Sequence, residues 1–244
     1  MRTRKIQMYL MVMLMSLPIL SLYSTKVSAT SQQDSFLKPY SAVYSTVWKK
    51  GISLKVEGKQ TLTKQSDNLW KFVFSADSLI ASLDESSTFH VKDHQIIPSK
   101  YEYRSSALGN KRSATLTFDW ENNLVRNDVK DKPWNLSIPV NTLDKLSIQL
   151  QVREDLKQGK STFDYQIADG GYLKNWQFKR DKMETIDTKL GRVSAIKVIR
   201  TDNLEDGKKT SFWFAPKFDY LLVKLEHKED GESYHLDIDS VEPR

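Results

Sequence analysis

The stretch Ser211–His227, SFWFAPKFDYLLVKLEH, constrains this chain more than any other. Side chains alternate along a strand, so Phe212 and Phe214 face one way and Trp213 and Ala215 the other. Pro216 presets the backbone for a turn, and Asp219 favours one. Past the turn, Leu221, Val223 and Leu225 share a face, with Tyr220, Leu222, Lys224 and Glu226 opposite. The pattern predicts two apolar strands joined by a short turn, with Leu221, Val223 and Leu225 in the core. A pair this apolar is a spine against which other strands and a helix must pack.

The same alternation recurs along the chain. Tyr40, Ala42, Tyr44, Thr46 and Trp48 lead to the turn Lys49-Lys50-Gly51, and Ile52, Leu54 and Val56 follow it, which predicts a hairpin. Gly58 reads as a bulge in the returning strand. Trp70, Phe72, Phe74 and Ala76 share one face of the next strand. Further strands are expected near 83–91, 95–105, 112–120, 124–127, 163–167, 176–178, 185–189, 193–201 and 233–241, with Pro98 marking an edge or a bulge. One helix is expected over Asn141–Lys157, capped by Asn141 or Thr142 and followed by Gly159. Its stripes Leu143/Leu146/Leu150 and Ile148/Val152/Leu156 lie on roughly opposite sides at about 100° per residue. A helix with one wet face needs a single stripe, so this one should be covered on several sides, within a curved sheet. The fold class that follows is mainly β, a β-rich α+β protein. We expect a curved antiparallel sheet or half-open barrel of roughly ten or more strands with one main helix. An outer-membrane barrel fits less well, because most strands carry a charged face that would have to meet lipid or fill the lumen.

The first residues belong to a different pattern. Arg2, Arg4 and Lys5 precede an apolar run, Met8–Leu22, and Val27-Ser28-Ala29 offers small residues for cleavage. This is the layout of a secretory signal peptide over 1–29, leaving one domain over 30–244 and no permanent membrane anchor after cleavage. A retained anchor is the competing reading, since the run nearly spans a bilayer; Pro18 and the small triplet favour cleavage. Four of the 37 basic residues lie in this leader, so the remainder has 33 against 31 acidic residues, a net charge of +2. Nucleic acid is therefore not an expected partner. The chain has no cysteine, which excludes disulfides, a lipoprotein anchor and thiolate metal sites.

Catalytic patterns are weak. His90 and His94 stand four apart near Glu85, but the spacing runs off a strand into the turn Lys92-Asp93. His227 and His235 could meet across a hairpin. No Gly-x-Ser-x-Gly occurs, and pairs such as Asp237 with Asp239 or Glu121 beside Asp119 fit solvated strand faces better than a cleft. Asp169-Gly170-Gly171 reads as a hairpin turn, and Asn135-Leu136-Ser137 is only a short match to a glycosylation acceptor. No catalytic residue, metal or cofactor is expected. The aromatic strand residues are the remaining signal: either plain core, or in part the lining of a cavity for an apolar ligand. Trp70, Phe72, Phe74, Phe118, Trp120, Trp213 and Tyr220 are the candidates for that lining, and basic residues at the rim would meet an acidic head group.

In order along the chain stand KPYSAVYSTVWKKGI, SSTFHVKDHQIIPSKYEYRSSALGNKRSATLTFDWENN, KPWNLSIPVNTLDKLSIQLQVREDL, FDYQIADGG, ETIDTKLGRVSAIKVIR and FWFAPKFDYLLVKLEH. As a series they resemble an exported Gram-negative domain-of-unknown-function family. The resemblance implies a periplasmic, β-rich, single-domain protein and no established activity. A curved sheet with a helix on its concave side is also similar, at the level of fold, to Lol-type lipoprotein carriers. The expectation is a monomeric, non-catalytic periplasmic protein that binds or carries an apolar or lipid-like ligand. The alternatives are an adaptor or scaffold docking an envelope protein and, behind it, an envelope hydrolase.

Overall fold

A computed structural model describes residues 36–50, 52–107, 109–129, 132–204 and 207–243. The expected signal segment lies outside them. The described residues form fourteen strands and one α-helix. The strands are β1 Tyr40–Lys50, β2 Ile52–Lys64, β3 Leu69–Asp77, β4 Ala81–Lys92, β5 Gln95–Ala107, β6 Asn110–Asp119 and β7 Leu124–Val129. After β8, Lys132–Ser137, comes the helix α1, Ile148–Lys157. Then follow β9 Thr162–Asp169, β10 Tyr172–Thr188, β11 Gly191–Arg200, β12 Lys209–Ala215, β13 Leu221–Glu229 and β14 Glu232–Pro243. All pair antiparallel in one unclosed sheet, ordered β8-β7-β6-β5-β4-β3-β2-β1-β14-β13-β12-β11-β10-β9. The mainly β, half-open reading of the alternation therefore holds.

The sheet curls until its two edges approach. The Trp134 ring on β8 lies on the Cα of Gly171, in the turn between β9 and β10. Gly171 has φ +104°, and any side chain there would run into the indole, so this contact requires glycine twice over. Between β8 and α1 the chain crosses to the other edge, where Leu143 forms a parallel bridge with Ile167 of β9. Both backbone bonds of that bridge are 2.9 Å.

Strict antiparallel order sorts the turns into two ends. The β1–β2, β3–β4, β5–β6, β7–β8, β9–β10, β11–β12 and β13–β14 turns share one, the hairpin end. The other, the helix end, carries the remaining turns and α1, which packs against the near ends of β5, β9 and β13. The helix is shorter than the expected Asn141–Lys157. Asn141 takes a left-handed φ of 64°, Leu143 is used in the bridge, and Asp144 then caps the start of the helical turn. Its Oδ1 accepts from Leu146 N (2.9 Å) and Ser147 N (2.7 Å). Both expected stripes are buried, as are Gln151, Arg153, Glu154 and Asp155 between them. The helix is covered on several sides.

Two local expectations change. Gly58 sits in regular register opposite Tyr44 and Ala76; the Phe74 ring packs over it, and a Cβ would stand 2.9 Å from that ring. Val223 is an extra residue on β13, because Trp213 pairs with Lys224 but Phe214 pairs with Leu222. That bulge breaks the expected Leu221/Val223/Leu225 face: Leu222 and Leu225 follow Phe214 and Phe212 inward. Leu221, Leu222 and Val223 are nevertheless all buried, because the sheet is covered outside as well. The far half of the β10–β11 hairpin folds across the outer face. Lys189 at its turn meets Asp239 Oδ2 at 2.5 Å, and Glu184 Oε2 accepts from Trp213 Nε1 at 2.8 Å. Pro98, by contrast, behaves as expected: it adjoins a bulge between β4 and β5, and its carbonyl accepts from Trp120 Nε1 at 2.6 Å.

Candidate functional site

The inner face of the sheet changes character along its length. At the helix end, Trp70, Phe89, Ile96 and Phe118 are buried together with α1. Towards the hairpin end the inner positions continue as Ala76, Leu83 and Tyr103 on one side and Trp176, Phe212, Leu225 and Leu236 on the other. These side chains rest on the core but stay part-covered. Two depressions open among the turns at this end. One of about 420 Å³ is lined by Asp77–Ser82, Ser106 and Gly109; one of about 380 Å³ lies between the β1–β2 and β13–β14 turns. Leu79 and Ile80, on the β3–β4 turn, are exposed beside the first. The inner face is thus covered by α1 at one end and only part-covered at the other, and this part-covered stretch is what we call the chamber.

Polar groups make the chamber floor. Glu85 on β4 pairs with Phe74 and Tyr103 and accepts a short hydrogen bond from the Tyr101 hydroxyl. It lies deep in the protein, and burial raises its pKa above the ordinary carboxylate value. Its surface is still partly open. Asp144 lies close by, buried, with Ser87 Oγ donating to it at 2.6 Å. Burial raises its pKa too, outweighing its hydrogen bonds. Lys145 spans from the Tyr103 ring (5.1 Å) to Asp169 (3.2 Å), which also takes Lys174 at 2.6 Å. Burial works against the Asp169 charge, but the two lysines hold its pKa below normal. On the opposite wall Tyr234 stacks on His227 at 4.8 Å, and Thr210 hydrogen-bonds that ring at 2.8 Å. Burial lifts Tyr234 to about 12 and depresses His227.

The plug at the helix end is held by charge. Arg153 binds both the backbone oxygen (2.6 Å) and the carboxylate of Asp219, and Lys157 reaches the same carboxylate at 2.8 Å. Asp219 and Tyr220 both have left-handed backbones, with φ of 55° and 58°. The two members of the Lys157–Asp219 pair respond differently. Desolvation lowers the pKa of the more buried lysine despite its partner, whereas the more open Asp219 is held low by two cations that outweigh its own desolvation. Glu154 binds His94 at 2.7 Å, and Asp155 accepts from Tyr165 at 2.6 Å.

Of the seven aromatic residues proposed from sequence as cavity lining, Trp70, Phe118, Trp120 and Tyr220 lie at the helix end, and Phe72 is fully buried between the ends. Phe74 lies beside Glu85 at the chamber floor. Trp213 is on the outer face, buried beneath Glu184 with Lys197 and Lys224 about its ring. The histidines do not converge: His227 pairs with Tyr234 and His235 with Glu226, on opposite faces. Glu85 was visible in the sequence only beside His90 and His94. Its real signal is an acidic residue in the inward alternation Leu83, Glu85, Ser87, Phe89.

Residues 40–239 match the family model described as "Protein of unknown function (DUF3108)". The chain belongs to this family. No curated protein matches it. Among solved structures, the DUF3108 chain is similar to a β-barrel-like protein of domain of unknown function DUF1849 from Brucella abortus. The TM-score is 0.55 at 10% identity, covering 85% of this chain and 98% of that one. A putative outer membrane lipoprotein-sorting protein domain from Vibrio parahaemolyticus aligns over 87% and 88% of the two chains, with a TM-score of 0.23 and 12% identity. The first of these likenesses shows a shared fold. Among the described residues no helix is long and apolar enough to cross a membrane.

Proposed function

We propose that this DUF3108 protein is a non-catalytic periplasmic binding or carrier protein for an apolar, lipid-like ligand, held in the chamber at the hairpin end. One observation carries the reading. Leu83, Tyr103, Trp176, Phe212, Leu225 and Leu236 face the inside of the sheet, yet among the described residues no helix covers them as α1 covers the helix end. Leaving that much apolar surface wet costs about 25 cal/mol per Å², and a ligand that covers it recovers the energy. Phe74 closes the inner limit of the space, and α1 is the fixed plug behind it. The leader pattern, with cleavage near Ala29, supplies the route to the periplasm.

The test is direct. Protein taken gently from the periplasm is extracted with organic solvent and the extract examined by mass spectrometry, with binding of a neutral, environment-sensitive apolar dye measured in parallel. An amphiphile at near-stoichiometric yield, or saturable dye binding, is the expected result. Repeated preparations with no bound amphiphile and no saturable dye binding would sink the proposal.

A further inference from the structure

The large apolar side chains that the fold leaves outside gather at one end. Leu79 and Ile80 stand on the β3–β4 turn, Tyr172 and Leu173 follow the β9–β10 turn, and Leu204 lies on the β11–β12 turn. All three turns belong to the hairpin end. Among the described residues only two other large apolar side chains are as open, Val140 in the crossing before α1 and Met183 on the fold-back of β10. Leu79 is the extreme case, 104% exposed at the tip of its turn. Scattered exposed leucines need no account, and turns are ordinarily polar; five of seven at one end do need one.

Their placement and their charged neighbours narrow what can cover them. The β1–β2 and β13–β14 turns separate the Leu79 tip from the Leu204 tip, and the β5–β6 and β7–β8 turns separate it from Tyr172 the other way round. The tips therefore stand on different walls of the mouth, and a body that meets them all must lie across it. Separate turn tips do not make the continuous, close-fitted core of a protein interface; they suit a fluid surface into which each can sink alone. At or next to the same turns Lys49, Lys111, Arg112, Lys209 and Lys228 are exposed, with no ion pair among the described residues. Lys111 and Arg112 are closest to the Leu79 tip, because Ser106 and Gly109 line the same depression as Leu79 and Ile80, and Lys111 pairs with Ser106. Several acids at this end are engaged within the protein: Asp169 by Lys145 and Lys174, Asp202 by Arg200 and Glu229 by Lys208. Asp77, Asp128 and Asp230 stay open, so the open charges still favour the cations by five to three.

We propose that the hairpin-end rim docks on a bilayer that carries anionic phospholipid, with Leu79, Ile80, Tyr172, Leu173 and Leu204 sunk among the head groups and the open cations against the lipid phosphates. Burial of the apolar tips and attraction to anionic lipid add together in such binding, and a few tips give reversible attachment instead of insertion. Tyr172 suits the boundary, with an apolar ring and a polar hydroxyl. The rim lysines do meet acidic head groups, but on the membrane and not on a guest inside. The rim reading goes beyond the carrier reading and does not need it, since the rim can bind lipid with nothing in the chamber.

Vesicle sedimentation tests it. Protein is taken from the periplasm, its intact mass is checked so that no apolar leader is retained, and it is spun with vesicles of phosphatidylcholine alone or mixed equally with phosphatidylglycerol. Wild-type protein is expected to partition onto the mixed vesicles about tenfold or more above the neutral ones. Leu79→Asp and Leu204→Asp should each weaken that binding about tenfold, and Lys111→Gln with Arg112→Gln together by about as much. Val140→Asp, an open aliphatic side chain away from the rim, should bind as wild-type does. All these positions are exposed, and an unchanged melting curve verifies each variant's fold. No partition onto either vesicle, equal partition onto both, or an equal loss in Val140→Asp overturns the proposal. It also falls if the protein sediments as a dimer that Leu79→Asp disperses while no vesicle is bound, which would give the rim to a second copy. Dye binding on the same samples keeps the two readings apart: its loss with vesicle binding intact removes the carrier and leaves the rim, and the reverse leaves the chamber.

Discussion

At the helix end of the half-barrel, Trp70, Phe89 and Phe118 are sealed by α1; at the hairpin end, Leu83 on the strand of Phe89, and Phe212 and Leu236 farther along the sheet, stay part-covered. Strand pairing is equally continuous at both, so hydrogen bonding does not distinguish them. The covering layer does. A curved sheet buries its inner face only where something is laid against it, and a ten-residue helix reaches only part of strands that run to thirteen residues or more. At the helix end Arg153 and Asp155 each meet an opposite charge, although Arg153 Nη1 and Glu154 Oε2 make no hydrogen bond; Glu85 takes the Tyr101 hydroxyl and lies in the field of Lys145. The fully buried core is concentrated at one end and the part-covered inner residues at the other.

The strongest way to break this division is a charge at the sealed end. Val223 is fully buried in the β13 bulge, between the inner core and the outer cover. Val223→Asp loses the burial of the side chain and leaves an unpaired carboxylate, so a loss of about 3–5 kcal/mol is expected. Chemical denaturation checks it; an unchanged midpoint would mean that this end is not the structural core. Truncation compares the ends more evenly. Phe72→Ala removes a fully buried ring and should cost about 3–5 kcal/mol. Leu236→Ala removes a part-covered side chain and should cost about 1–2 kcal/mol, while weakening dye binding. Equal losses would erase the distinction between plug and chamber.

How far the sequence foretold these ends follows from what a period of two can encode. Alternation marks which residues share a face, and it placed Trp70, Phe72 and Phe74 together and Trp213 opposite Phe212 and Phe214. It cannot say which face is inner once both are covered. Trp213 looked like a cavity residue because the fold-back of β10–β11 that buries it from outside is a contact between elements. The bulge at Val223 escaped for a related reason: Leu221, Leu222 and Val223 are all apolar, so one inserted residue leaves no polar residue on the wrong side. The edge contact of Trp134 with Gly171 joins β8 to the β9–β10 turn, and β8 itself was missed because only Trp134 and Leu136 mark its apolar face. Helix length was overestimated because Leu143 belongs to the same apolar stripe whether it is helical or paired with Ile167. The chamber floor was legible in part, since Glu85 interrupts an inward apolar run.

The smallest expected effect concerns how the plug is fastened. Asp219 holds Arg153 and Lys157 of α1, and its pKa is depressed by those cations against its own desolvation. A depressed carboxyl contributes stability above its unfolded pKa, about 3.9, and that contribution is lost as pH falls through the lower folded value. Asp219→Asn keeps a residue that tolerates the left-handed backbone and an oxygen for Arg153, but removes the charge. Because Asp219 is more than a third exposed, solvent screening limits the loss near pH 7 to about 1 kcal/mol or less, roughly 2–4 °C in Tm. The gap between wild-type and variant melting curves should stay constant from pH 7 to pH 5 and close below about pH 4. A gap that persists in acid would assign the loss to backbone strain at Asp219 and Tyr220 instead of charge. Dye affinity measured on the same variant then tests the independence of the two ends: a plug that only stabilises leaves it unchanged, whereas a plug that gates the chamber shifts it along with Tm.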